Sequence, residues 1–421
     1  MRPVRVCLDA RQPGTGQAGG VEQFIIGLAY GLSRLADGEE EYLFLAREDA
    51  HTWLVPHLKG SCRLFLAGRA AARPGRLRRM LYGVFPETDP FHTRYDPFAG
   101  PLTPRLQRSL GVVEGAGVDL MHFTFQSAFL TAIPSIYHPH DLQHLHLPRY
   151  FSEKTRIARE AEYRSYCEQA RMVAVSSSWM RRDLIDTYGL GEDKVRVVPL
   201  APLLGAYTPP GPQDLEAARQ RLSLPDAFLF YPAATWPHKN HIGLLEALTI
   251  LRDTNGLHVT AVFTGAATAH FAEIRRRAAA LDLADRVRFL GYVDTLDLQC
   301  LYRLCRCVVV PTLFEAASFP LWEAFLAGAP AACSRVTSLP EQAGDAALVF
   351  DPEDPREIAG AIAKLWTDEE LRDRLAKRGA RNVAAFSWDR TARTFRAHYR
   401  RLAGRPLSSE DHDLIEAAPP M

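Results

Sequence analysis

Short apolar runs rich in Val, Leu, Phe and Cys recur along the chain, separated by longer stretches in which apolar residues return every third or fourth position. A brief unbroken apolar run fits a strand buried on both faces, and the longer period fits a helix with one buried stripe. In the first half this pattern predicts strands at 4–8, 42–45, 62–66, 118–123, 135–137, 172–175 and 195–199, with a helix over 20–35. In the second half it predicts strands at 228–231, 258–264, 287–290, 307–311, 331–333 and 347–350. The helices predicted between and after them cover 214–222, 240–253, 272–281, 296–305, 320–326, 355–366 and 369–385. Strands alternating with helices mark parallel sheets covered on both faces, the α/β class.

The pattern breaks at LAPLLGAYTPPGPQ, residues 200–213, where prolines gather and apolar periodicity stops. A domain over 1–202, a linker over 203–212 and a second domain over 213–386 follow as the expected organisation. A helix over 387–403 is expected to cross back to the first domain, and the polar tail 404–421 is expected to be loose. Each half reads as a doubly wound domain, whose sites lie at the carboxyl ends of the strands, so two such domains would face each other across a cleft.

A length of 421 residues supports two domains of ordinary size. The net charge of +1 excludes a global electrostatic attraction to nucleic acid. The start, MRPVRVCLDA, lacks the long apolar stretch of an export signal, and no run reaches the roughly 20 apolar residues of a membrane span. Seven scattered cysteines fit a reducing compartment, so the expected location is the cytoplasm. Cys300, Cys305 and Cys307 cluster without zinc-site spacing and read as packing residues. The arginines Arg69, Arg73, Arg76, Arg78 and Arg79 are a candidate contact with anionic lipid at the inner face of the membrane, against the alternative of a solvated surface.

The chemistry concentrates in TLFEAASFPLWEAF, residues 312–325. Pro320 belongs in the first turn of a helix and Ser318 reads as its N-cap, which places Glu315 in the strand-to-helix loop and Glu323 in the second turn. The free amides from Ser318 to Leu321 and the positive end of the helix form an anion site, and carboxylates accept well from sugar hydroxyls. Glu323 sits among Leu321, Trp322, Ala324 and Phe325, surroundings too apolar for an idle charge. A second cluster, His138-Pro-His140-Asp141-Leu-Gln-His144-Leu-His146, invites a metal-dependent hydrolase reading through His138 and His140, although no second ligand motif accompanies it. Ser176, Ser177 and Ser178 lack the G-x-S-x-G elbow of a hydrolase nucleophile.

The stretch from Glu315 to Pro330 resembles the E-x7-E motif of the family 4 glycosyltransferases, which are retaining enzymes of the GT-B fold. Glu315, Pro320, Glu323, Ala324, Gly328 and Pro330 match, while Ala316 and Ser318 stand where glycines are usual. FYPAATWPHKNH, residues 230–241, is similar to the family's strand, loop and helix in which a lysine binds the donor phosphates. Lys239 matches that lysine, and Ala234 stands where the family often carries an arginine. Gly19 and Gly20 in GQAGGVE match the G-G pair of the first loop. His140-Asp141 matches the H-D-x whose histidine faces the donor sugar across the cleft. Tyr292 and Val293 match the G-x-V that lines the nucleotide base.

The resemblance implies two Rossmann-like domains and transfer of a sugar from a nucleoside diphosphate sugar, UDP- or GDP-linked, to a glycan or lipid-linked acceptor, with no metal and no further cofactor. It gives Glu323 the ribose hydroxyls, and Lys239 with Ser318, Phe319, Pro320 and Leu321 the diphosphate. It puts Glu315 and His140 at the transferred sugar. Besides the hydrolase, a non-catalytic GT-B protein and a nucleotide-sugar epimerase are the alternatives.

Overall fold

The computed structural model describes residues 2–11, 19–67, 106–109 and 111–417. The arginine-rich run at 69–79 and residues 16–18 of the first glycine loop lie outside them. The chain divides into two compact units: Met1–Ser176 with Arg181–Pro199 and Trp388–Pro419, and Ser177–Met180 with Leu200–Ser387.

The first unit runs β1 (Val4–Asp9), α1 (Gly19–Leu32), β2 (Glu40–Ala46), β3 (Cys62–Leu66), β4 (Leu120–Phe123), β5 (Ser135–Tyr137), α2 (Glu153–Gln169), β6 (Met172–Val175), α3 (Ser178–Tyr188, from Arg181 onward) and β7 (Val195–Val197). Its described strands form one parallel sheet in the order β3-β2-β1-β4-β5-β6-β7. The order reverses at β1 and β4, the switch point of a doubly wound sheet.

The second unit runs α4 (Pro212–Arg221), β8 (Leu229–Pro232), α5 (His241–Asn255), β9 (Ala261–Thr264), α6 (Phe271–Ala280), β10 (Val287–Phe289), α7 (Thr295–Leu304), β11 (Cys307–Val310), α8 (Phe319–Ala327), β12 (Ala331–Ser334), α9 (Leu339–Ala343), β13 (Ala347–Phe350), α10 (Pro355–Thr367) and α11 (Glu369–Val383). Its sheet is also parallel, in the order β10-β9-β8-β11-β12-β13, and reverses at β8 and β11. β9 and β11 are buried at every residue, as strands covered by helices on both faces must be. Among the described residues no helix is long and apolar enough to cross a membrane.

Two helices at the end of the chain, α12 (Trp388–Leu402) and α13 (Ser409–Glu416), belong to the first unit. α1 approaches α12 closely at two glycines. A Cβ on Gly27 would lie 2.0 Å from the buried Trp388 ring, and one on Gly31 would lie 2.3 Å from the Trp388 carbonyl oxygen. Backbone cannot yield as a flexible side chain can, so Gly31→Ala should cost about 1–3 kcal/mol by overpacking. Thermal unfolding checks this, and an unchanged Tm would mean that the two helices separate without penalty.

Two expectations are corrected. The tail from residue 404 is not loose throughout, because Ser408 and Asp411 form a capping box that starts α13. Asp411 is buried and accepts from Arg400 at 3.0 Å, and the same guanidinium donates to Glu40 at 2.6 Å, so a polar sequence is anchored by charge instead of apolar burial. The segment 203–212 is not a bare linker either. Leu203 and Leu204 are buried in a single 3-10 turn, Leu203–Ala206, that packs on α8.

Candidate functional site

At the switch point of the second unit the chain leaves β8 through Ala233 to Lys239 and leaves β11 through Pro311 to Ser318. Backbone hydrogen bonds fasten these two loops together. The His238 carbonyl accepts from the Leu313 amide at 2.7 Å and from the Thr312 hydroxyl at 3.1 Å. Asn240, in the left-handed region at φ 56°, caps α5 by accepting from the Gly243 amide. Its side-chain amide also donates to the carbonyls of Pro311 at 3.0 Å and Pro352 at 2.9 Å. The Tyr231 hydroxyl donates to the Lys239 carbonyl at 3.0 Å. With its backbone so fixed, Lys239 brings its ammonium to 2.6 Å from Oε2 of Glu315, and both side chains are largely shielded from water.

Glu315 is itself held from the loop between β12 and α9. The Thr337 hydroxyl accepts from the Glu315 amide at 3.1 Å and donates to its carbonyl at 2.5 Å, while the Ser338 hydroxyl donates to that carbonyl at 2.8 Å. Thr337 adopts φ 50°, an unfavourable setting for a β-branched residue that these bonds maintain. Gln342 grips the next part of the loop, its side-chain oxygen accepting from the Ser318 amide at 2.8 Å and its nitrogen donating to the Ser318 carbonyl at 2.5 Å. Sequence reading missed Thr337, Ser338 and Gln342, because each acts on backbone some 20 residues away and no local motif marks them.

Ser318 occupies the N-cap position of α8, but the capping expected of its side chain is absent. The hydroxyl is buried without a partner among the described residues, and Gln342 holds the Ser318 backbone, not the free amides of the first turn. Pro320 lies in the first turn as expected, and the amides of Phe319 and Leu321 open the helix without intrahelical partners. α8 ends at Gly328 in the left-handed region, φ 76°.

Glu323 is 2% exposed. Oε2 accepts from the Tyr302 hydroxyl at 2.7 Å, whereas Oε1 has no partner among the described residues. Burial raises its pKa to about 7 against the lowering effect of the Tyr302 bond, so near neutral pH the carboxyl is divided between charged and neutral forms. Tyr292 is exposed and Val293 half-buried in the loop after β10. That loop is anchored where the Gly291 carbonyl accepts from the Gly265 amide at 2.8 Å. Gly265 has φ 121°, and a Cβ there would meet the Ala233 carbonyl carbon at 2.6 Å, so the loops after β8, β9 and β10 nest only around a glycine.

In the first unit, Gly19 and Gly20 are exposed at the start of α1, and Gly19 has φ 36°. At this unit's own switch point the buried Asp9 accepts from Arg11 at 2.7 and 2.8 Å. His140, with φ 66°, donates from Nε2 to the Thr124 carbonyl at 2.8 Å. Burial lowers its pKa to about 4, so it is a neutral imidazole whose proton is fixed on Nε2. His138 lies against it, with ring centroids 4.1 Å apart and ring planes inclined at 50°, and burial also holds His138 neutral. No group of three His, Cys, Asp or Glu side chains among the described residues is arranged to hold a metal ion. His144 and His146 turn elsewhere, towards Glu160 and Asp183.

Two family models match the chain: glycosyltransferase family 4 over residues 18–201 and glycosyl transferases group 1 over residues 213–382. The chain is 28% identical over 261 residues to the O-antigen chain mannosyltransferase B of Escherichia coli, covering 62% of this chain and 68% of that protein. It is 26% identical to the D-inositol 3-phosphate glycosyltransferase of Corynebacterium jeikeium, covering 93% of this chain and 94% of that protein. Among solved structures it resembles Anabaena HepE in complex with UDP and glucose, with a TM-score of 0.70 at 20% identity over 94% of this chain and 99% of that one. It also resembles the sucrose-phosphate synthase of Thermosynechococcus elongatus, with a TM-score of 0.68 at 20% identity over 95% and 99%.

Proposed function

The chain belongs to the family 4 glycosyltransferases, enzymes of the GT-B fold that use nucleotide sugars, and we propose that it moves a hexose, with retention at the anomeric carbon, from UDP or GDP to a glycan or lipid-linked acceptor. The observation that carries this reading is the meeting of Lys239 and Glu315 at the β8/β11 switch point, on the loop that opens α8. An ammonium ion, amides without intrahelical partners and a carboxylate are the groups a sugar diphosphate requires.

Lys239 and the amides of Phe319 and Leu321 hold the diphosphate and stabilise the charge that develops on it as the bond to the anomeric carbon breaks. Glu315 accepts from hydroxyls of the transferred sugar and supports positive charge at that carbon. The acceptor oxygen forms its bond on the face that the diphosphate leaves, and its proton passes to the leaving phosphate oxygen. Tyr292 and Val293 line the base, and Glu323 takes the ribose hydroxyls. On the first unit, Gly19, Gly20 and neutral His140 serve the sugar and acceptor. Fixed positive groups do the electrostatic work on this account, with no divalent metal. The protein acts in the cytoplasm, and its arginine run at 69–79 meets anionic lipid where a lipid-linked acceptor would lie.

Incubation with a panel of UDP- and GDP-sugars tests the reading, with released nucleoside diphosphate as the signal. Release from none of them, with and without candidate acceptors, would overturn it. Glu323→Ala should weaken nucleoside diphosphate binding by about 1–3 kcal/mol; unchanged affinity by calorimetry would remove its ribose role.

A further inference from the structure

The Tyr302 side chain on α7 is wholly buried and packs edge to face on Phe230 of β8, with ring centroids 5.1 Å apart. Its hydroxyl meets the carboxyl of Glu323 on the neighbouring α8 and donates to Oε2 at 2.7 Å. This bond leaves the two oxygens unequal, because Oε1 is equally buried and has no partner among the described residues. An orphaned buried acceptor is costly and uncommon in a folded protein, and a ligand hydroxyl that reached it would recover the cost.

Other groups around this pair do not compete. The thiols of Cys300, Cys305, Cys307 and Cys333 are all raised by burial and stay neutral at physiological pH. On α11, Arg372 donates to the Leu365 carbonyl and Arg378 to the Asp345 carbonyl, and the helix's remaining charged residues are exposed. Burial also holds the Tyr302 hydroxyl well above its ordinary pKa, so it remains a donor throughout the working range.

We propose that Tyr302 is a positioning residue of the donor site: it fixes Glu323 through Oε2 and so presents Oε1 as the acceptor for a hydroxyl of the nucleoside diphosphate. The proposal rests on the reading that Glu323 meets the donor. It gives the tyrosine hydroxyl a task that its ring packing alone does not require.

The test is calorimetric binding of UDP and of GDP to the full chain between about pH 5.5 and pH 8.5. A charged acceptor binds hydroxyls more strongly than a neutral one, so parent affinity should rise as pH passes through the Glu323 pKa near about 7. Tyr302→Phe keeps the ring and removes the bond that favours the carboxylate. Its midpoint should move upward by about one pH unit, with affinity about fivefold lower at pH 7. In a Glu323→Gln background the same substitution should leave the pH profile unmoved. A purely structural tyrosine would lower Tm without shifting the midpoint. If Glu323→Gln weakens binding but Tyr302→Phe keeps the parent profile, the positioning role is wrong and the donor reading stands. If Glu323→Gln has no effect, or the parent binds neither nucleotide, the donor reading of Glu323 fails and the proposal falls with it.

Discussion

Lys239→Ala should lower kcat/KM for sugar transfer by about 100- to 1,000-fold, the scale on which removing one fixed group that stabilises developing charge acts. The effect should be large here for a reason visible in the sequence, since the loops 233–239 and 311–318 carry no lysine or arginine besides Lys239. Its ammonium is also well placed. Asn240 locks the loop to Pro311 and Pro352, Tyr231 holds the Lys239 carbonyl, and the side chain is mostly shielded from water, which strengthens its field. Charge on the diphosphate grows as the glycosidic bond breaks, so kcat should fall more than affinity for free nucleoside diphosphate. Steady-state kinetics that leave kcat/KM within threefold of the parent would take Lys239 out of the reaction.

Glu315→Gln should separate catalysis from binding. Turnover should fall about 100-fold, because the neutral amide no longer supports positive charge at the anomeric carbon. Affinity for free UDP or GDP should hold or rise, by up to about fivefold, because Lys239 is then released from its ion pair and no longer shares its charge with a neighbouring carboxylate. Kinetics and calorimetry on the same variant check both halves. Loss of affinity in step with turnover would mean that Glu315 acts by orienting Lys239, and the proposed contact with the sugar would be withdrawn.

The α/β class and the parallel sheets were legible because strands buried on both faces leave unbroken apolar runs. The predicted bounds of β3, β5, β6 and β13 coincide with the observed strands, and Pro320 and Gly328 mark where α8 opens and ends. α13 was not legible, since its stability comes from a capping box and an ion pair to Arg400 that leave no apolar stripe. Leu203 and Leu204 were hidden by the prolines around them.

For the candidate site, Glu315 and Lys239 could each be named from local motifs, but their meeting at 2.6 Å could not. It depends on β8 and β11 lying side by side, a matter of sheet order. The grip of Gln342 on Ser318 and the bond from Tyr302 to Glu323 likewise join residues about 20 positions apart, beyond the reach of any helical or strand period. The Ser318 hydroxyl shows the converse failure, in which a residue type suited to capping occupies the N-cap position without making the capping bond.

The most direct measurement is a structure of the chain with the nucleoside diphosphate it binds, UDP or GDP. The diphosphate should lie within hydrogen-bond distance of Lys239 Nζ and of the Phe319 and Leu321 amides, with Glu315 turned from the lysine towards the sugar position. A diphosphate held elsewhere, with the Lys239–Glu315 pair still closed, would contradict it.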